Sequence, residues 1–189
     1  MEGRAGVFRQ DVSQTLFPWH GSFPFDGVRD YHGRVIVTTT FKVAAPIDAV
    51  WRYMLDVQKM APCVPGAELT EVIDDKTYAG KIGVKLGPIE VAYRGKVFLD
   101  EVDEQTHTAR LRAEGQESKG RGGATARVKA EMHQEGAETV VTMESDIGVT
   151  GLVAQFGRSS IMQDISQRMA QRFADCLERE IKATQTVST

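Results

Sequence analysis

Ile89-Glu90-Val91-Ala92-Tyr93-Arg94-Gly95-Lys96-Val97-Phe98-Leu99-Asp100 is the stretch that decides the fold. Every odd position is apolar or glycine, and Glu90, Arg94, Lys96 and Asp100 fall on even ones. A period of two buries one set and wets the other, the pattern of a strand in an antiparallel sheet with one solvated face. The pattern recurs on both sides. Downstream, 106–116 sets Ala109, Leu111, Ala113 and Gly115 against Arg110, Arg112 and Glu114. Residues 121–134 set Gly122, Ala124, Ala126, Val128, Ala130 and Met132 against Arg121, Arg127, Lys129 and Glu131. Residues 138–149 turn Thr139, Val141, Met143, Ser145, Ile147 and Val149 inward. Upstream, 76–86 aligns Tyr78, Gly80, Ile82, Val84 and Leu86, a shorter strand covers 67–74, and Val35 to Val43 alternate in a β-branched first strand.

Between the first two strands, Pro46 with Asp48 close behind marks a helix start. Two short helices are predicted, ending at Ala61-Pro62-Cys63-Val64-Pro65-Gly66. From 151 to 182, Val153, Phe156, Ile161, Ile165, Met169, Phe173, Leu177 and Ile181 recur at three- to five-residue spacing, with charges on the other side. That is one long amphipathic helix, with Gly157 as a candidate kink. The order of strand, two short helices, six strands and long helix excludes alternating parallel crossovers. It predicts an α+β helix-grip arrangement: a curved antiparallel sheet of about seven strands wrapped around the C-terminal helix. Residues 1–33, rich in aromatics and broken by Pro18, Gly21, Pro24 and Gly27, form a separate extension that docks on something. Residues 34–184 form the domain, and 185–189 a frayed tail.

With 189 residues the chain can bury a full core without staples. Its net charge of −3 argues against nucleic-acid binding, which favours a surplus of Lys and Arg. Neither an apolar run long enough to span a bilayer nor a signal-peptide pattern is present. Cys63 and Cys176 lie far apart in sequence and make no CxxC pair, so no disulfide is expected and a reducing cytoplasm fits.

The inward positions are small where a long helix should meet bulk. Ala109, Ala113, Gly115, Gly122, Ala124, Ala126 and Ala130 face the helix, with Gly80 and Gly95 on neighbouring strands. Glycines in strands also serve bulges and curvature, and a strongly curved sheet is itself what leaves a gap. The expected cavity is apolar with few polar groups, which suits a hydrophobic or aromatic small molecule. Its predicted lining is Tyr78, Ile82, Tyr93, Ala113, Ala126, Met132, Met143, Phe156, Met169 and Phe173. Ordinary core is the alternative reading of each Met and Tyr taken singly.

Phe41-Lys42-Val43-Ala44-Ala45-Pro46-Ile47-Asp48-Ala49-Val50-Trp51, then Cys63-Val64-Pro65-Gly66-Ala67, resembles the family of the carbon monoxide dehydrogenase G-type accessory protein. So does Gly87-Pro88-Ile89-Glu90-Val91-Ala92-Tyr93-Arg94-Gly95-Lys96-Val97, and with the small-residue strand at 120–130 and the terminal helix the likeness spans about 36–182. The family belongs to the START-like (SRPBCC) superfamily, so the resemblance implies a helix-grip fold around a hydrophobic cavity. It also implies an accessory role beside a molybdenum hydroxylase, through recruitment to the membrane or carriage of a quinone. The aromatic N-terminal extension, and the absence of a long tail after the helix, depart from the family pattern.

No GxSxG, HExxH, GxGxxG or P-loop occurs, and His20, His32, His107 and His133 show no metal spacing. No metal and no cofactor are expected. Cys63 lies in the loop expected at the cavity mouth, where a packed residue is preferred over a reactive thiol. Glu71 and His107 fall on the inward parity of their strands, and with Tyr78, Tyr93 and His20 they are the acid–base candidates. Lys119, Arg121, Arg127 and Lys129 form an outer basic stretch without acidic partners, a candidate for weak contact with anionic lipid. Two readings follow. The preferred one is a cytoplasmic carrier of a quinone-like or aromatic molecule, serving a molybdenum hydroxylase and touching the inner face of the membrane peripherally. The alternative is a cofactor-free lyase or cyclase for an aromatic or polycyclic substrate in the same cavity. The apolar extension can clamp a second copy, so a homodimer is one arrangement open to the chain.

Overall fold

The computed structural model describes residues 33–86, 89–151, 154 and 160–187. The chain enters through strand β1 (Gly33–Val43), then helices α1 (Ile47–Leu55) and α2 (Val57–Met60) and a 3-10 turn at Ala61–Cys63. Six strands follow: β2 (Ala67–Asp74), β3 (Thr77–Leu86), β4 (Ile89–Asp103), β5 (Thr108–Glu117), β6 (Gly123–Glu135) and β7 (Glu138–Val149). Helix α3 (Ser160–Val187) closes the domain. All neighbouring strands are antiparallel, in one sheet ordered β1-β7-β6-β5-β4-β3-β2. The helix-grip arrangement read from the alternation is the one observed. The aromatic extension before Gly33 and the candidate kink at Gly157 lie outside the described residues.

The local causes are specific. Pro46 stands at the N-cap of α1 and carries no side-chain oxygen. The Ile47 N–H instead donates to Oε1 of Gln134 on β6, at 2.7 Å. Asp56 caps α2 by accepting the Lys59 N–H at 3.2 Å, and it pairs with the Lys59 ammonium at 2.7 Å. That hydrogen-bonded ion pair holds the Asp56 carboxyl below its usual range. Thr139, fully buried on β7, donates to the Ala45 carbonyl at 2.8 Å and fixes the crossover from β1 to α1.

The small inward residues have a structural task at Gly95. Gly80, Gly95 and Gly115 are register partners across three strands, and the row continues to Ala124 and Val149. A Cβ on Gly95 would lie 1.9 Å from the Glu114 carbonyl oxygen, and one on Gly80 2.8 Å from that of Glu68. No side chain fits where the strands approach so closely, so this row lets the sheet bend around α3.

Four expectations are corrected. Cys63 and Cys176, 113 residues apart, are joined in a disulfide with Cα atoms 5.4 Å apart. Sequence separation says nothing of spatial separation once a terminal helix folds back, and Cys63 is therefore no reactive thiol. Such cross-links persist in oxidising compartments, so the cysteines no longer argue for the cytoplasm. The terminal helix begins at Ser160 rather than 151, because Gly151 takes a left-handed φ of 78° that an α-helix does not use. Two members of the basic stretch have acidic partners. Lys129 lies 2.5 Å from Glu131, and Arg121 lies 3.9 Å from Glu117. Arg127 faces Asp146 across the β6–β7 ladder. Glu71, finally, does not face inward. The β2–β3 register shifts between Leu69 and Glu71, placing Glu71 opposite Ala79 and Val72 opposite inward-facing Tyr78. A one-residue slip in a strand exchanges its faces.

Candidate ligand-binding site

Helix α3 presents Ile165, Met169, Phe173, Leu177 and Ile181 at four-residue spacing toward the concave face of the sheet. Two separate buried clusters form beneath it. The larger gathers Phe41, Val141, Trp51, Met132, Leu177 and Ile181 with others around the second half of the helix. There Phe173 meets Phe41 edge to face at 5.8 Å. The smaller holds Val91, Tyr93 and Val149, with Ile82, Ile147 and Ile165 packed against it.

Between the clusters, inward residues stay accessible. Val97, Ala113 and Ala126 are register partners in one row, and Leu111 and Val128 in the next. All point toward the helix, yet none is buried, and Val97 is 37% exposed. Met169 is half-buried above them. Ile165 and Phe173 are about 12 Å apart along the helix axis at 1.5 Å per residue, so this stretch of concave face has apolar walls and is not filled to core density. A separate open groove of about 570 Å³ is polar, lined by Arg94, Lys96, Glu114 and Gln116 of the outer parity with Gly122 and Gly123. Its lining does not match the expected apolar cavity; the unfilled concave face does.

The predicted lining divides accordingly. Met132 and Phe173 are buried in the larger core, with Met143 packed against it. Ala113, Ala126 and Met169 border the unfilled stretch, and Ile82 and Tyr93 belong to its far end. Phe156 and His20 lie outside the described residues. The Tyr78 hydroxyl is spent locally, donating to the Asp75 carbonyl at 2.8 Å. His107 sits in the β4–β5 turn with φ of 48°, its ring edge-on to Trp51 at 5.3 Å and its Nε2 3.8 Å from Asp48. It thus caps the far end of the larger core. The acid–base candidates are not brought together.

One polar residue lies beyond the sequence reading. Glu117, in register with Tyr93, continues the inward parity of Ala113 and Gly115 and is only 9% exposed. Its Oε2 accepts the Arg121 N–H at 3.1 Å. The alternation ends the strand at 116, one residue short. Tyr93 is 8% exposed, and its buried hydroxyl has no hydrogen-bond partner. Burial, with the Glu117 charge adding to it, pushes the Tyr93 phenol above its ordinary value, so it remains a donor at neutral pH. Among the described residues no cluster of His, Cys, Asp and Glu could hold a metal, and no helix is long and apolar enough to cross a membrane.

A family model for the G-type carbon monoxide dehydrogenase protein, CoxG, matches residues 40–182. Among solved structures, the chain is similar to a conserved protein from Geobacillus kaustophilus, at 16% identity and a TM-score of 0.67, covering 80% of this chain and 96% of that one. It is also similar to the ZhuI aromatase/cyclase from Streptomyces sp. R1128, at 16% identity and a TM-score of 0.56, covering 79% and 94%. A START superfamily protein from Mycobacterium smegmatis matches at 13% identity and a TM-score of 0.51, covering 79% and 98%. At such identities the likeness shows the fold alone. No curated protein matches the chain.

Proposed function

Because the chain belongs to the CoxG family of carbon monoxide dehydrogenase proteins, we propose that it is a non-catalytic carrier of an apolar small molecule, quinone-like or aromatic, held between α3 and the sheet. One observation carries this reading: the inward row Val97, Ala113 and Ala126 stays accessible between two packed clusters. Apolar surface left open under a helix is stabilised when an apolar guest covers it, by roughly 25 cal/mol per Å². Family membership further supports an accessory role beside a molybdenum hydroxylase. Contact with an anionic membrane loses its basis, since Arg121 and Lys129 have acidic neighbours.

Uptake of a neutral fluorescent apolar probe, N-phenyl-naphthylamine, tests the carrier. Wild type should bind it, and Ala113→Phe or Ala126→Leu should abolish binding while melting within a few degrees of wild type. Badly unfolded variants, or no uptake by wild type, would mean the concave face is already dense. Co-purification of the tagged chain with hydroxylase subunits tests the partner.

A second reading, a cofactor-free lyase or cyclase, is favoured by Tyr93 and Glu117, a donor and a carboxylate facing the same concavity. Turnover of an aromatic substrate that disappears in Glu117→Gln would establish it over the carrier.

A further inference from the structure

Tyr93 and Glu117 stand at the narrow end of the concave face, where β4 and β5 pair, among Ile82, Val149 and Ile165. A buried hydroxyl without a partner costs about 1–3 kcal/mol. Nothing in the surrounding cluster offers it an acceptor, because those side chains are apolar. Glu117 is different: its carboxylate is held by the Arg121 N–H and lies near the Arg121 guanidinium. An acceptor arriving with a ligand would relieve the phenol. A second anion arriving there would meet the Glu117 charge in a site with little water to screen it.

We propose that Tyr93 and Glu117 are the specificity-determining pair of the ligand site: Tyr93 donates a hydrogen bond to a carbonyl or ether oxygen on the ligand, and Glu117 turns carboxylates away. The selected class is thus a neutral apolar molecule bearing one oxygen acceptor at the end that reaches Tyr93, its body lying along Ala113, Ala126 and Met169. This inference rests on the carrier reading above.

Equilibrium dialysis of the full chain against three isosteric probes tests it: ethylnaphthalene, acetylnaphthalene and naphthoate. Wild type should bind the ketone about tenfold more tightly than the hydrocarbon, and the acid most weakly. Tyr93→Phe should remove the ketone's advantage, leave the hydrocarbon unchanged, and melt no lower than wild type, since it deletes an unpaired hydroxyl. Glu117→Gln should raise naphthoate affinity several-fold. A hydrocarbon bound as tightly as the ketone by wild type, or a Tyr93→Phe variant that loses both equally, overturns the pair while leaving the carrier intact. Failure of wild type to bind either neutral probe overturns both.

Discussion

Cys63, in the 3-10 turn after α2, and Cys176, on α3, form a disulfide that ties the turn beside β2 to the helix the sheet grips. The cross-link spans 113 residues of chain, so it removes a large loop-closure entropy from the unfolded state. The loop-length relation gives about 4–5 kcal/mol for so large a loop. Reductant should therefore lower the urea midpoint of wild type strongly and leave Cys63→Ser/Cys176→Ser unaffected. Thiol titration of the unfolded, unreduced protein should find no free thiol; two thiols per chain would remove the cross-link from the account.

Gly95 carries the second prediction. Its Cβ would overlap the Glu114 carbonyl, whereas a Cβ on Gly83, also in a strand, meets nothing within 4 Å. Gly95→Ala should cost about 3 kcal/mol or more, because two backbones must part. Gly83→Ala should be neutral within about 0.5 kcal/mol. Denaturant melts of both variants decide it, and equal effects would mean that the close approach at Gly95 relaxes freely.

Most of the sheet is legible because one face is wet along nearly its whole length, so alternation fixes each strand from 76 to 149 and its facing. What escapes depends on single steps that break the alternation or outlast it. Parity misplaces Glu71 because the bulge beside it leaves no mark in the sequence. Glu117 stays hidden when the fifth strand is closed at 116, although the odd parity of Ala109, Leu111, Ala113 and Gly115 points to it. The disulfide is not legible because two lone cysteines give no spacing to read.

Tyr93 predicts a pH dependence. Its phenol is raised by burial and by Glu117, so above the ordinary value near 10 the unfolded chain loses the proton first. The folded state then binds more protons, and stability falls as pH rises from about 10 toward the folded value. Tyr53 and Tyr78 shift the same way, so the measurement is the difference between wild type and Tyr93→Phe. The gap between their urea midpoints should be constant around neutral pH and widen in favour of the variant from about pH 10 upward. Parallel curves across that range would mean that the phenol is as solvated folded as unfolded.

The last prediction compares two positions on one helix stripe. Leu177 and Met169 both face the sheet, two helical steps of four residues apart. Leu177 is fully buried in the larger cluster, while Met169 lies half-buried over the accessible row of Ala113 and Ala126. Truncating a fully buried leucine loses transfer energy and leaves a cavity, about 3–5 kcal/mol together. At Met169 the neighbours are already missing on one side, so truncation gives up few contacts and creates no new void, and about 1 kcal/mol is expected. Leu177→Ala should thus shift the denaturation midpoint several times further than Met169→Ala in the apo protein. Saturation with N-phenyl-naphthylamine should reduce the difference, because the guest supplies the contacts that Met169 then loses on truncation. If Met169→Ala is as costly as Leu177→Ala without any guest, the helix is packed evenly along its length and no site lies beneath it.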